Sequence, residues 1–196
     1  MADIIVIGGG AAGMMSALAA AKSGADVLLL ERNEKLGKKV YITGKGRCNV
    51  TNDCTLDEFM QQVPRNPRFL YSALSQFTPQ DMMGLLEDAG CPVVVQRGRR
   101  VYPATEKASD VNRTLERLLR DNHVAIRLHC GVKQLLTEDG QVKGVVTDSG
   151  ETIACNKVII ATGGMSYPAT GSTGDGYRFA TDAGHTLIPA SPVLSA

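Results

Sequence analysis

The first thirty residues leave the chain little freedom in what it can become. Ile4 to Ile7 is a short, unbroken apolar run, the pattern of a strand covered on both faces. The six residues Gly8-Gly9-Gly10-Ala11-Ala12-Gly13 then break it. Ala11 to Ser23 is alanine-rich and reads as a helix closed by Gly24, and Ala25 to Leu30 reads as a second buried strand ending at Glu31. A strand, a glycine turn, a helix and a second strand make a βαβ unit. A GxGxxG turn inside such a unit is the dinucleotide-binding fingerprint. Gly8 permits the tight turn. Gly10 lets backbone approach a pyrophosphate. Gly13 lets helix and strand pack closely, and the helix N-terminus offers free N–H groups to phosphates. Glu31 lies at the end of the second strand, where a carboxylate accepts hydrogen bonds from ribose hydroxyls and repels a 2′-phosphate.

After that start the alternation of strands and helices stops. Residues 55–90 read as helices, with Phe69, Leu70, Ala73, Leu74 and Phe77 at helical spacing. Thr78-Pro79-Gln80-Asp81 is a helix start, with a Thr cap, Pro at the first position and an acid at the third. Val93 to Val95 and Arg100 to Tyr102 suit a small hairpin, and Ser109 suits the cap of a helix that turns Val111, Leu115, Leu118 and Leu119 inward. Val124 to Leu128 reads as a strand. Residues 131–154, with tight-turn pairs at Asp139-Gly140 and Ser149-Gly150, read as a three-stranded meander. Lys157 to Ala161 reads as a further buried strand running into Thr162-Gly163-Gly164. A last helix is expected from about Asp175 to Gly184.

The totals narrow the function classes. Basic and acidic residues number 21 and 20, so net charge gives no reason to expect nucleic acid or an anionic membrane surface. No stretch approaches the roughly 18 apolar residues of a membrane-spanning helix. MADIIVIGGG lacks the basic start of a secretion signal. Cys48, Cys54, Cys91, Cys130 and Cys155 are odd in number and scattered, which suits reduced thiols and a cytoplasmic protein. No His/Cys spacing suggests a metal. The oligomeric state is not legible. Many of the 21 glycines fall at 8–13, 37–46 and 163–176, three places where backbone could lie against a ligand.

GxGxxG with an acid does not separate NAD from FAD. The inserted helices and meander, the strand KVIIATGG and the following GSTGDGY favour FAD. Residues 3–32 look like the ADP-binding start of FAD enzymes with two dinucleotide-binding domains. The stretches KLGKKVYITGKGRCNVTN (35–52) and ATGGMSYPATGSTGDGYRFATDAGH (161–185) are more specific. Together they resemble the BaiN/YhiN-like family of NAD(P)/FAD-dependent oxidoreductases, the aminoacetone-oxidase-like flavoproteins. TGDG before a helix also resembles fumarate-reductase-type flavoproteins.

The resemblance implies an α/β fold: a Rossmann-like FAD-binding domain with a parallel sheet, a βαβ start and a three-stranded β-meander. It implies hydride transfer between FAD and a small organic substrate, with NAD(P)H a candidate electron donor. By the same likeness Gly8, Gly10, Ala12 and Gly13 would line the pyrophosphate, and Glu31 with Arg32 the adenosine ribose. Lys38 and Lys39 would lie near the phosphates or ribityl chain. Thr43, Gly46, Arg47, Cys48 and Asn49 would run along the flavin. Val132 would face the adenine, and Ala161, Thr162 and Gly163 would pack on the ADP half. No catalytic side chain is indicated. Family members are about twice as long and continue past a point near Pro192. Residues 1–196 are therefore expected to be the N-terminal portion of the FAD-binding domain, truncated before an inserted substrate-side domain and a C-terminal FAD segment. Two alternatives stay open: a pyridine-nucleotide disulfide reductase in which Cys48 and Cys54 bridge, and a non-catalytic nucleotide-binding fragment. Six residues of helix turn about 240° beyond a full circle, and an extended segment exceeds the ~7 Å a disulfide spans, so the pair would need a turn.

Overall fold

The computed structural model describes residues 1–190, so the expected continuation point near Pro192 lies outside the described residues. The chain divides into two compact units, Met1–Lys38 with Leu119 onward, and Lys39–Leu118.

The first unit is built on the βαβ start. β1 (Ala2–Ile7), α1 (Ala11–Lys22) and β2 (Val27–Leu30) fall where the apolar runs and glycines put them, with β2 two residues shorter than expected. β6 (Ala125–Arg127), β7 (Val132–Glu138), β8 (Gln141–Thr147) and β9 (Thr152–Ile160) complete a six-stranded sheet of order β6-β2-β1-β9-β8-β7. The pairs β6–β2, β2–β1 and β1–β9 are parallel, and β9–β8 and β8–β7 antiparallel. The expected third meander strand and the expected parallel strand at Lys157 are thus one strand. Its first residues pair with β8 (Gly144↔Ala154) and its later ones with β1 (Ile5↔Val158).

Alternation assigns the two faces of the sheet. Ile5, Ile7 and Leu30 pack with Val132, Val145 and Cys155, and with Phe179 of the last helix, α6 (Asp175–Asp182). Val6, Val27 and Leu29 point to the other face, and α1 lies against β1 and β2 with Met14, Ala17 and Leu18 buried. The expectation that Lys157–Ala161 is buried needs correction. Val158 and Ile159 are half-buried and Ile160 is 39% exposed, because no described strand pairs with the β9 edge opposite β1 at these positions.

The second unit carries β3 (Thr51–Asn52), α2 (Leu56–Gln61), α3 (Pro67–Gln76), α4 (Pro79–Asp88), β4 (Val93–Gln96), β5 (Arg100–Pro103) and most of α5 (Ala108–Asp121). The expected hairpin forms, with Val95 opposite Val101, and β3 joins it on the other side of β5. The capping box at Thr78 is complete: its hydroxyl accepts from the Asp81 N–H, and Asp81 accepts from the Thr78 N–H at 2.7 Å. Ser109 is not a cap. α5 begins one residue earlier, and the Ser109 hydroxyl turns to Asp110. Val111, Leu115 and Leu119 are buried as expected, while Leu118 is half-buried. The apolar repeat of α3 makes a helix but no core, since none of its residues is buried and Phe69 is 85% exposed. Spacing sets the helix, and only tertiary packing decides what covers it.

Candidate functional site

The glycine loop is stitched to both strands that flank it. The Gly8 N–H donates to the Leu30 carbonyl at 2.8 Å and the Ala161 N–H to the Ile7 carbonyl at 2.8 Å. The three motif glycines do different work. A Cβ on Gly8, whose φ is +104°, would stand 2.5 Å from the Ala161 carbonyl oxygen. A Cβ on Gly13 would stand 1.7 Å from the Gly8 carbonyl oxygen. Both glycines therefore serve packing. A Cβ on Gly10 would meet nothing within 4 Å. That position is an open cradle at the start of α1, whose first turn has no side-chain cap and no acidic residue. Ala12, in the same turn, is exposed. An anionic pyrophosphate fits uncapped amides beside an unfilled space.

Glu31 is 7% exposed and does more than wait for a ribose. Its Oε2 accepts from the Gly9 N–H at 2.6 Å, and its Oε1 accepts from the Asn33 N–H at 2.8 Å and the Asn33 side-chain amide at 2.6 Å. A carboxylate offers about four acceptor positions, so one remains, on Oε2. Gly9, the free position of the motif in sequence terms, is constrained here. A Cβ would lie 2.4 Å from a Leu36 methyl and 3.1 Å from Glu31. Asn33 carried no signal in the sequence beyond its place two residues after the acid.

Other residues of the first unit have protein partners of their own. The Arg32 guanidinium donates to the Thr173 hydroxyl at 3.0 Å and pairs with Asp175 at 2.9 Å. It is engaged with the 163–174 loop. Thr173, Arg178 and the charge of Arg32 hold the Asp175 carboxyl below the usual carboxylate range. The Lys38 ammonium donates to the Asn33 side-chain oxygen and to Glu34, at 3.2 and 3.3 Å. Val132 belongs to the core cluster, so a ligand could meet it only through its main chain. Ala161 and Thr162 do abut the glycine loop, through the backbone near Gly8. The Thr162 hydroxyl is buried without a hydrogen-bond partner among the described residues. Gly163, at φ +78°, lets the loop close on Ser172, whose hydroxyl oxygen would lie 2.4 Å from a Cβ there.

Lys39, Thr43, Gly46, Arg47, Cys48 and Asn49 belong to the second unit. Lys39 precedes a short helical turn that starts at Val40 and is broken from Thr43 to Lys45 by non-helical backbone. Gly44, Lys45, Gly46 and Cys48 all have left-handed backbone, so GKGRC is a folded turn and neither helix nor strand. Lys45 and Cys48 each pay roughly 1 kcal/mol for that conformation, which persists only where surrounding contacts hold it. The Thr43 hydroxyl donates to the Val40 carbonyl at 2.8 Å. Arg47 bonds Gln96 and Glu106, both at 3.2 Å, and its guanidinium stands 4.4 Å from the Tyr102 ring centroid. Asn49, with its amide nitrogen turned inward, donates to the Thr51 and Val101 carbonyls. Arg47 and Asn49 thus brace the turn itself.

Both cysteines of the disulfide alternative are free thiols. Cys48 is 4% exposed, and burial pushes its thiol above the usual range, with Cys91 adding to the effect and Thr43 opposing it. Burial also raises Cys54. A redox cysteine needs a stabilised thiolate, and neither position supplies one. Thiol titration of the folded chain should give the same count with and without prior reductant, with Cys54 reacting before Cys48. A count that rises by two after reduction would restore the disulfide reading.

Among the described residues no helix is long and apolar enough to cross a membrane, and no cluster of His, Cys, Asp and Glu could hold a metal. The chain is 35% identical over 196 residues to the 3-dehydro-bile acid delta(4,6)-reductase of Clostridium scindens, spanning 99% of this chain and 47% of that protein. It is 32% identical over 188 residues to the ribosomal RNA dihydrouridine synthase of Escherichia coli K12, spanning 95% of this chain and 46% of that protein. The chain thus spans about half the length of these curated relatives. A flavocytochrome c3 fumarate reductase in an open conformation shares the fold, with a TM-score of 0.75 at 22% identity over 93% of this chain and 40% of that one. The model of the HI0933-like protein Rossmann domain matches residues 2–191, and the chain, with its glycine loop closed on Glu31, belongs to that family.

Proposed function

We propose that this chain is the dinucleotide-binding part of an FAD-dependent oxidoreductase that moves a hydride to or from a carbon–carbon double bond conjugated with a carbonyl. The observation that carries the nucleotide half is the open cradle at Gly10 beside a Glu31 oxygen with one acceptor position left. Gly10 and the first turn of α1 would hold the pyrophosphate, and Glu31 the ribose. Val132 would reach the adenine through its main chain. FAD, when bound, supplies a two-electron hydride carrier, and the chain's own residues bind and orient it. NAD(P)H is the electron donor this reading prefers, since a soluble dinucleotide can reload the carrier between turnovers.

The substrate half rests on the two curated relatives. One is a 3-dehydro-bile acid delta(4,6)-reductase and the other a ribosomal RNA dihydrouridine synthase; we read both names as addition of hydrogen across a ring double bond conjugated to a carbonyl. Steroid and nucleobase differ in size and charge, so the shared feature is the activated double bond. The near-balanced net charge favours a small-molecule substrate over RNA.

The test is a flavin titration of the purified chain followed by identification of the released cofactor. A yellow protein that releases FAD on denaturation, in about one-to-one ratio, is the expected result. The reduced, loaded chain would then be mixed with a 3-oxo-Δ4 steroid or a uridine oligonucleotide and flavin reoxidation followed. Failure to take up FAD, alongside uptake of NAD alone, would sink the flavin reading.

A further inference from the structure

We infer that Arg32 and Asp175 form a clasp that fastens the 163–174 loop to the ribose acid, making both positioning residues for nucleotide retention. The inference rests on the FAD reading above only for its second consequence, retention.

Three consecutive residues at the end of β2 tie three loops together. Glu31 holds the glycine loop through the Gly9 N–H at 2.6 Å. The Glu31 and Asn33 carbonyls accept from the Cys130 and His129 N–H groups at 2.9 and 3.0 Å, which fixes the β6–β7 connection. The third attachment is to the 163–174 loop and is made by side chains. The Asn33 amide that donates to Glu31 also donates to the Thr170 carbonyl at 3.2 Å. The loop backbone passes so close that a Cβ on Gly171 would stand 2.9 Å from the Asn33 amide nitrogen and 3.4 Å from the Arg32 side chain.

Arg32 closes the attachment. Its two terminal nitrogens go to Thr173 and Asp175, and the Thr173 hydroxyl, which accepts from Arg32, donates to Asp175 at 2.6 Å. The three side chains form a closed ring of charge-assisted bonds. Side-chain exposure is 33% for Arg32 and 19% for Asp175, so solvent screens the pair only in part. Arg178 bonds the other Asp175 oxygen at 3.2 Å from within α6, which keeps the carboxylate in place when a ligand comes or goes. The loop then reaches the ribose acid through Asn33, and the cation beside that acid is neutralised. A nucleotide gripped at Glu31 should therefore feel Asp175 without touching it.

The experiment compares wild type, Asp175→Asn, Arg32→Gln and the double variant. Arg99→Gln, which breaks an ion pair with Glu58 in the other unit, is the control. Hydrogen exchange of the unliganded chain reads the loop directly, and flavin fluorescence reads FAD affinity. Each clasp variant should speed exchange across residues 164–174 about tenfold and weaken FAD by about five- to fiftyfold, within the usual range for coupling between separate sites. β1 and β2 should be unaffected. The double variant should be no worse than either single one, because both remove the same bond. The control should change neither reading. Unchanged exchange in both single variants, or effects that simply add, would overturn the clasp. Faster exchange with unaltered FAD affinity would overturn the positioning role. A wild-type chain that takes up no FAD while its loop still loosens in the variants would support the clasp and refute the flavin reading.

Discussion

Gly13→Ala should destabilise the start of the chain strongly, while Gly10→Ala should leave its stability intact and weaken its nucleotide site. The two positions share a motif and differ in what surrounds them. An alanine methyl at 13 would sit 1.7 Å from the Gly8 carbonyl oxygen, a backbone atom that side-chain motion cannot relieve. α1 would have to lift from β1, opening the face where Met14, Ala17 and Leu18 are buried. Overpacking of a tight site costs about 1–3 kcal/mol, and a backbone clash belongs at or above the top of that range. A loss of about 3 kcal/mol in a chain this long lowers the thermal midpoint by roughly 6–12 °C. At Gly10 the backbone is extended, with φ −76° and ψ −173°, and a methyl meets nothing within 4 Å. Stability should change by less than about 0.5 kcal/mol. The methyl would occupy the space assigned to the pyrophosphate, so FAD affinity should fall about a hundredfold, or ~2.7 kcal/mol. Thermal melts of both variants, with flavin titration of Gly10→Ala, decide it. Equal melting points would refute the packing argument, and an unaltered flavin affinity in Gly10→Ala would refute the cradle.

Removing the Glu31 carboxylate should be the other large effect. Glu31→Ala leaves the Gly9 N–H, the Asn33 N–H and the Asn33 side-chain amide without their acceptor. An orphaned buried donor costs about 1–3 kcal/mol. The Gly9 bond is buried and should bear the full penalty, while water can reach the half-buried Asn33 and soften its share. A total near 3 kcal/mol is expected for Glu31→Ala. Glu31→Gln keeps one oxygen and turns an amide toward donors, so it should fall about halfway. Urea denaturation should rank wild type above Gln above Ala, with unchanged slopes. Both variants should lose FAD affinity, since the last acceptor position on Oε2 changes or disappears. Glu31→Ala with wild-type stability would mean that Glu31 does not hold the glycine loop.

These expectations rest on two kinds of information. Much of the fold was legible because its signals are local. Four apolar residues, a glycine turn and an alanine-rich stretch specify β1, the loop and α1 within a short window. Asp139-Gly140 and Ser149-Gly150 mark the meander turns, and Thr78-Pro79-Gln80-Asp81 marks the start of α4, each through the backbone angles or cap those residues favour. The turn and packing roles of Gly8 and Gly13 were readable for the same reason, since the motif encodes one turn and its neighbouring strand. The helical repeat of α3 shows the limit, because the spacing specified a helix and could not say that Phe69 would stay exposed.

Polar partners were not legible. The family resemblance implied ligand contacts for Arg32, Lys38 and Arg47, and it said nothing of their partners within the protein. In the structure each is held by protein. Arg32 meets Thr173 across a separation of 141 residues, and Arg47 meets Glu106 across 59. Cys48 and Cys54 are near in sequence, yet both are free thiols, and burial is what chiefly sets the chemistry of Cys48. Residue type limits what a side chain can bond, but topology chooses the partner, since long-range contacts form only after strands and loops have been brought together. The sequence by itself determined the βαβ start, the meander and the glycine cradle, all carried by local periodicity and turn chemistry. Only the tertiary structure decided that β9 serves both halves of the sheet, that Glu31 is tied to Gly9, and that Arg32 reaches Asp175, because each depends on segments far apart in the chain arriving at one place.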